Sequence, residues 1–191
     1  MPDIKKVNKA NMDKGDARAL LLDLEDKTAI RIGSDADFKA KEKAYGLTTL
    51  QHEHVEIVGD TIKLNFTAKE GIKASYELKD DVLAKWLKTR VDETKPGEKL
   101  FPDVSSAKLN TYLKEIAGGK KYTVKDFRTH HGTRIAREEL KQYAGQELTE
   151  KQRKEIIKQV SKKVSQFLAN TPSMAKKSYI NPIVWDYIGG L

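Results

Sequence analysis

The sequence predicts an α+β chain, mainly α, with one small three-stranded antiparallel sheet. Two observations predict it. Apolar residues recur at three- and four-residue steps over most of the chain, most clearly at Ile156, Ile157, Val160, Val164, Phe167 and Leu168, which is the spacing of one helix face. Between Leu47 and Leu78 the spacing changes to alternation: Val55 and Ile57, then Ile62, Leu64 and Phe66, on either side of Gly59-Asp60. Alternation around a two-residue turn with glycine first is the pattern of a hairpin.

Composition bounds the partners. The 191 residues carry 36 Lys and Arg against 28 Asp and Glu, a formal net charge of +8. Such an excess points to a polyanion, nucleic acid before anionic membrane, with a merely soluble basic protein as the plain alternative. The absence of cysteine excludes disulfides, thiolate chemistry and cysteine-based zinc sites. No apolar run approaches the ~18 residues of a membrane span, and Met1-Pro-Asp-Ile-Lys-Lys6 lacks the apolar core of a signal peptide. The expectation is an intracellular, soluble monomer, cytoplasmic or nucleoid-associated (nuclear in a eukaryotic or viral setting), with no membrane partner.

Residues 1–10 are lysine-rich and aperiodic and read as a flexible basic tail; residues 11–191 read as a single domain. A helix carrying Ala17, Leu20, Leu21 and Leu24 runs from Asn11 or Asp13 to near Asp26. Ile30-Arg31-Ile32-Gly33 follows, an arginine between apolar neighbours that either faces solvent or has an anionic partner, with Ser34 as a helix-cap candidate. After the first hairpin, a second turn at Lys69-Glu70-Gly71 puts Lys69 at a tip, ahead of a strand with Ala74, Tyr76 and Leu78.

The remainder reads as helices. Asp80 and Asp81 cap one with Val82, Leu83, Trp86 and Leu87 on a face, and Val91 to Pro102 is a surface loop. Ser105 or Ser106 starts the next, with Leu109, Tyr112, Leu113 and Ile116 on its face and Gly118-Gly119 as its stop. Thr123 and Asp126 resemble a capping box, which places Arg128 in the first two turns of a helix reaching Tyr143, with Phe127, Ile135 and Leu140 inward. A helix N-terminus beside an arginine suits a phosphate.

Thr149 and Gln152 form a capping box for the helix of Ile156 to Leu168, whose opposite face carries Lys151, Lys154, Lys158 and Lys162. Such a stripe is an ordinary solvated face that can also track a DNA backbone. The helix ends near Asn170, Pro172 restarts the chain, and Tyr179 follows next to Lys176 and Lys177. His52, His54, His130 and His131 lack the spacing of a helical zinc site and read as structural or surface residues. No carboxylate cluster has two-metal nuclease spacing, and no glycine loop cradles a phosphate.

The ordered set Ile30-Arg31-Ile-Gly33, Tyr45-Gly-Leu-Thr-Thr-Leu50, Lys69, Lys125-Asp-Phe-Arg128-Thr129, Asn170-Thr-Pro-Ser173 and Tyr179 resembles the catalytic constellation of type IB DNA topoisomerases of the poxvirus-like and bacterial branch. The likeness runs from about Leu20 to Asp186. It implies the helical catalytic domain shared by these enzymes and tyrosine recombinases, acting on duplex DNA without metal or nucleotide. Tyrosine recombinases share the arginines, the hairpin lysine and the tyrosine but carry a histidine three residues before the second arginine. Lys125 stands there, as in the topoisomerases.

The resemblance implies that Tyr179 attacks a DNA phosphate to give a 3'-phosphotyrosyl link and a free 5'-hydroxyl strand, that Arg31 and Arg128 clamp the non-bridging oxygens, and that Lys69 is general acid to the leaving 5'-oxygen, helped by Arg31 or Lys125. It makes Lys125, Lys176 and Lys177 DNA-binding. The residue types suit these tasks, since phosphoryl transfer is catalysed mainly by positioning and charge stabilisation. Asn170 stands where poxvirus enzymes carry histidine and bacterial ones commonly asparagine; its amide can donate to a phosphate oxygen but cannot supply a proton.

The family's N-terminal clamp domain has no counterpart in the thirty residues before Arg31. The resemblance therefore implies either a catalytic-domain fragment or a reduced enzyme that holds DNA more weakly and with greater salt sensitivity. The alternatives are a tyrosine recombinase or integrase catalytic domain, and a non-catalytic DNA-binding module.

Overall fold

Helix caps and strand alternation account for most of the element order. The computed structural model describes residues 2–190, in which helices α1 (Pro2–Met12), α2 (Ala17–Thr28) and α3 (Asp35–Lys39) precede strands β1 (Val55–Val58), β2 (Thr61–Thr67) and β3 (Lys73–Lys79). Helices α4 (Asp81–Glu93), α5 (Ser106–Ile116), α6 (Val124–Leu140), α7 (Glu150–Leu168) and α8 (Pro172–Ser178) follow, with 3₁₀ turns between and after them. The sheet is antiparallel in the order β1-β2-β3, as the alternation predicts. None of the described helices is long and apolar enough to cross a membrane.

The chain divides into two compact units, Met1–Val124 and Lys125–Leu191.

In the first unit, residues expected to be a frayed tail form α1; Met1 lies outside the described residues. Ile4, Asn8 and Met12 are buried at four-residue spacing. The polar Asn8 in the middle of this stripe hides the periodicity, yet it is satisfied: its Nδ2 donates to Ala19 O at 2.9 Å, and Tyr112 Oη donates to its Oδ1 at 2.8 Å. A buried amide with both ends paired is tolerated, so α1 packs on α2 and α5. Helix α2 is capped by Asp16 rather than starting at Asn11 or Asp13, and ends on Ala29 in the left-handed region.

Ser34 caps α3, Asp80 caps α4 and Ser105 caps α5 through side-chain oxygens, as such residues do. On α4, Leu83 and Leu87 are buried but Val82 is exposed, because it lies off the stripe that Leu83 and Leu87 share at four-residue spacing. The register Val55↔Leu64, Leu64↔Tyr76 and Phe66↔Ala74 puts Ile62, Leu64 and Phe66 on the buried face.

In the second unit, Thr149 and Gln152 form the reciprocal capping box at the start of α7. Its buried face holds Ile156, Val160, Val164 and Leu168, with Ser161 and Ser165 alongside. Helix α7 ends on Ala169 in the left-handed region, and α8 restarts with Thr171 as cap and Pro172 in its first turn, where proline's missing N–H costs nothing. Trp185 and Val184, in the 3₁₀ turn over Pro182–Ile188, are buried. On α6, Phe127 and Leu140 are buried as expected, whereas Ile135 is half-buried and Ala136 takes the inward place.

Candidate active site

The sequence-identified residues fall in both units. Arg31 and Lys69 belong to the first; Lys125, Arg128, Asn170, Lys176, Lys177 and Tyr179 belong to the second.

In the first unit, Arg31 lies on the irregular segment between the end of α2 and the Ser34 cap. Ile30 is buried while the Arg31 side chain is 32% exposed. Two motifs that look separate in the sequence form one splint here. Leu47 N–H donates to Arg31 O and Thr48 N–H to Ile32 O, each at 2.9 Å, and Thr48 Oγ1 adds a second bond to Ile32 O at 2.9 Å.

Gly46 approaches Gly33 so closely that a Cβ on residue 46 would lie 2.6 Å from Gly33 N and 2.7 Å from its Cα. One residue earlier, Tyr45 N–H donates to Thr67 O at 2.9 Å, at the end of β2 two residues before Lys69. The Tyr45–Leu50 segment therefore joins the backbone that carries Arg31 to the strand that leads to Lys69.

Lys69 is exposed at the β2–β3 tip, where Glu70 and Gly71 both take positive φ. An anion with no distinctive sequence signal, Asp37, lies beside Arg31 and within the field of Lys69. Arg31 Nη1 donates to Asp37 Oδ2 at 2.9 Å. The Ser34 hydroxyl, then the Arg31 guanidinium and the field of Lys69, hold the Asp37 carboxyl below the usual carboxylate range against the opposing cost of burial.

The segment is backed by aromatic packing. Tyr45 meets His54 edge-on at 4.3 Å between ring centroids, and His54 leans on Phe66 at 6.0 Å. His54 Nδ1 accepts Gln51 N–H at 3.0 Å, and burial pushes its pKa below the ordinary histidine value despite the nearby Glu53 charge. His54 is thus structural, as expected.

In the second unit, Tyr179 caps the end of α8, its N–H bonded to Ala175 O. Its ring is half-buried. The Arg128 guanidinium carbon sits 4.8 Å from the ring centroid and Lys125 Nζ 5.6 Å, both within cation–π range. Arg128 itself is only 4% exposed, and its Nη2 donates to Leu168 O at 2.9 Å, one of the last carbonyls of α7.

Asn170, two residues further along, has its amide nitrogen and oxygen both shielded from solvent and without a hydrogen-bond partner among the described residues. Unpaired buried amides are costly. Lys176 and Lys177 are exposed on α8, as are Lys151, Lys154, Lys158 and Lys162 on α7, where Lys154 pairs with Glu150.

Two further residues seat the tyrosine. Gly132 on α6 faces the Tyr179 peptide so tightly that a Cβ would come within 2.5 Å of Tyr179 O. Thr133 Oγ1 accepts Asn181 N–H at 3.0 Å and donates to Tyr179 O at 3.5 Å. In sequence they sit one turn beyond Arg128, and that spacing is the one signal that marks them.

The chain compares with known proteins in a consistent way. A sequence model of the family described as eukaryotic DNA topoisomerase I, catalytic core, matches residues 2–182. DNA topoisomerase 1B of Acanthamoeba polyphaga mimivirus is 28% identical over 178 residues, 85% of this chain and 52% of that protein. DNA topoisomerase 1B of vaccinia virus (strain Copenhagen) is 24% identical over 185 residues, 96% of this chain and 57% of that protein. DNA topoisomerase 1 of Caenorhabditis elegans is 28% identical over 138 residues, 64% of this chain and 17% of that protein. The chain spans about half the length of the viral relatives. With the family model covering nearly all of its length, the chain belongs to the type IB DNA topoisomerases, as a catalytic-core member of the eukaryotic DNA topoisomerase I family.

Proposed function

We propose that this chain relaxes supercoiled duplex DNA by breaking and resealing one strand through a 3'-phosphotyrosyl intermediate. The observation that carries the reading is the setting of Tyr179, a half-buried phenol at the end of α8 with the Arg128 guanidinium 4.8 Å and the Lys125 ammonium 5.6 Å from its ring. Cations beside the attacking phenol are placed to stabilise the charge that gathers on the phosphate oxygens during its attack on phosphorus.

In this scheme Tyr179 gives its phenolic proton to solvent as its oxygen bonds the scissile phosphorus and the bond to the 5'-oxygen breaks, while Lys69 protonates the departing 5'-oxygen and is itself reprotonated from solvent. Arg128 and Arg31 stabilise charge on the non-bridging oxygens, and the unpaired Asn170 amide donates to one of them. One phosphodiester replaces another, so the reverse attack by the 5'-hydroxyl reseals the strand without an energy source. Lys125, Lys176 and Lys177 hold the DNA backbone. The protein acts as a monomer, wherever the cell or virus keeps its duplex DNA.

The test is incubation with supercoiled plasmid in EDTA without nucleotide, over a range of low salt. The expected result is relaxation, together with a denaturant-stable protein–DNA adduct that Tyr179→Phe abolishes while duplex binding stays. Plasmid left supercoiled under all these conditions overturns the reading. So does relaxation by Tyr179→Phe.

A further inference from the structure

One carboxylate of the first unit pairs directly with Arg31. Asp37 Oδ2 accepts hydrogen bonds from Arg31 Nη1 at 2.9 Å and Ser34 Oγ at 2.8 Å, and the Asp37 N–H donates back to Ser34 Oγ at 3.1 Å. The carboxylate is thus fixed by the same serine that caps α3. It is buried to about three quarters, its side chain 23% exposed.

Asp37 is the only side-chain partner of the Arg31 guanidinium among the described residues, and it occupies a single nitrogen. Nε and Nη2 are left as the free edge. A guanidinium held at one corner presents its remaining N–H groups in a fixed direction, which is what bidentate phosphate binding requires.

We propose that Asp37 is a positioning residue: it orients the Arg31 guanidinium so that the Nε–Nη2 edge meets the scissile phosphate. This rests on the reading that Arg31 grips that phosphate. Holding the long side chain before DNA arrives removes rotamer freedom that would otherwise be lost on the way to the transition state. The benefit therefore falls on the rate of strand cleavage. The carboxylate's charge works against DNA binding, so affinity does not depend on it. A residue that instead masked Arg31 until DNA displaced it would give the opposite signature, because removing it would speed cleavage.

The experiment is single-turnover formation of the covalent adduct on a duplex oligonucleotide, with duplex affinity measured in parallel. Asp37→Asn, which keeps the shape and loses the charge, is expected to slow cleavage by roughly ten- to a hundredfold, the range for loss of a charge-assisted orienting bond. Its duplex affinity is expected to be equal or tighter. Ser34→Ala, which frees the carboxylate without removing it, should give a smaller fall of the same kind, and Asp37→Glu should recover part of the rate.

In an Arg31→Ala background the Asp37→Asn change should have no further effect, as expected for residues acting as one unit. Cleavage by Asp37→Asn at or above the wild-type rate overturns the inference and leaves the proposed activity standing. An equal further loss in the Arg31→Ala background also overturns it. Failure of the wild-type chain to form any adduct removes the activity and this inference together.

Discussion

Gly46 touches Gly33: a Cβ on residue 46 would stand 2.6 Å from Gly33 N and 2.7 Å from Gly33 Cα. The neighbouring atoms are backbone, and they belong to the turn that immediately follows Arg31. Gly33 has φ of 87°, a conformation other residues adopt only with strain. Gly46→Ala should therefore push the Arg31 segment off its splint rather than displace a side chain. The expected cost is about 1–3 kcal/mol of stability, as for overpacking elsewhere. The variant should also lose cleavage activity beyond what its stability loss explains, read as adduct formation well below its melting temperature. A variant with wild-type melting and cleavage would show that the two motifs are not coupled.

In the structure Arg128 donates a hydrogen bond to Leu168 O and lies over the Tyr179 ring. A planar guanidinium can donate from one corner while another edge faces a ligand, and an ammonium cannot reproduce that geometry. Arg128→Lys should thus behave as a severe change despite the retained charge, with cleavage slowed by ~10²–10³, the range for losing one transition-state donor. Arg128→Ala should in addition lower stability, because Leu168 O loses its donor. Single-turnover cleavage with thermal unfolding separates the two effects.

How much of this was legible in the sequence follows from the range of the forces involved. Ser34, Asp80, Ser105 and Thr149 were recognisable as caps because capping is local, and all four cap helices through their side chains. The strands were legible because alternation has one meaning on a half-buried sheet. Helix α1 was not, since Asn8 interrupts its apolar stripe and is made acceptable only by Ala19 and Tyr112, which are distant in sequence. Of the proposed catalytic residues, Arg31, Lys69, Arg128, Asn170 and Tyr179 could be singled out by residue type and order. Asp37 could not, because it matters through a contact that only the folded chain creates; Gly46 stood inside a recognisable motif, and Gly132 and Thr133 were marked only by their spacing from Arg128, but their packing roles needed the fold.

His54 carries a pH prediction. Burial depresses its pKa, and its Nδ1 is committed as an acceptor from Gln51 N–H, so the folded protein keeps the ring neutral. Above the ordinary histidine value of about 6.5 both folded and unfolded chains hold it neutral, and its contribution is fully present. As pH falls through that value the unfolded chain binds a proton that the folded one refuses, so stability declines until the lower folded pKa is reached. The melting temperature should drop between neutral and mildly acidic pH. In His54→Asn, which cannot titrate, the slope over this interval should be shallower. An unchanged slope would assign the pH dependence to other groups.

Asn170 allows stability and function to be pulled apart. Both polar atoms of its amide are buried without partners among the described residues, so the folded chain gains nothing from them and bears their desolvation. Removing a buried, unsatisfied amide is neutral or favourable, in contrast to breaking a made hydrogen bond. Asn170→Ala should accordingly melt at or above the wild-type temperature while cleaving DNA more slowly, by roughly 10–10³-fold if the amide donates to the phosphate in the transition state. Asn170→His, which keeps an N–H donor at the position, should retain more activity than the alanine variant. The measurements are thermal unfolding and single-turnover adduct formation on the same preparations. A lower melting temperature in Asn170→Ala would mean that the amide has a structural partner, and an undiminished cleavage rate would remove it from the reaction.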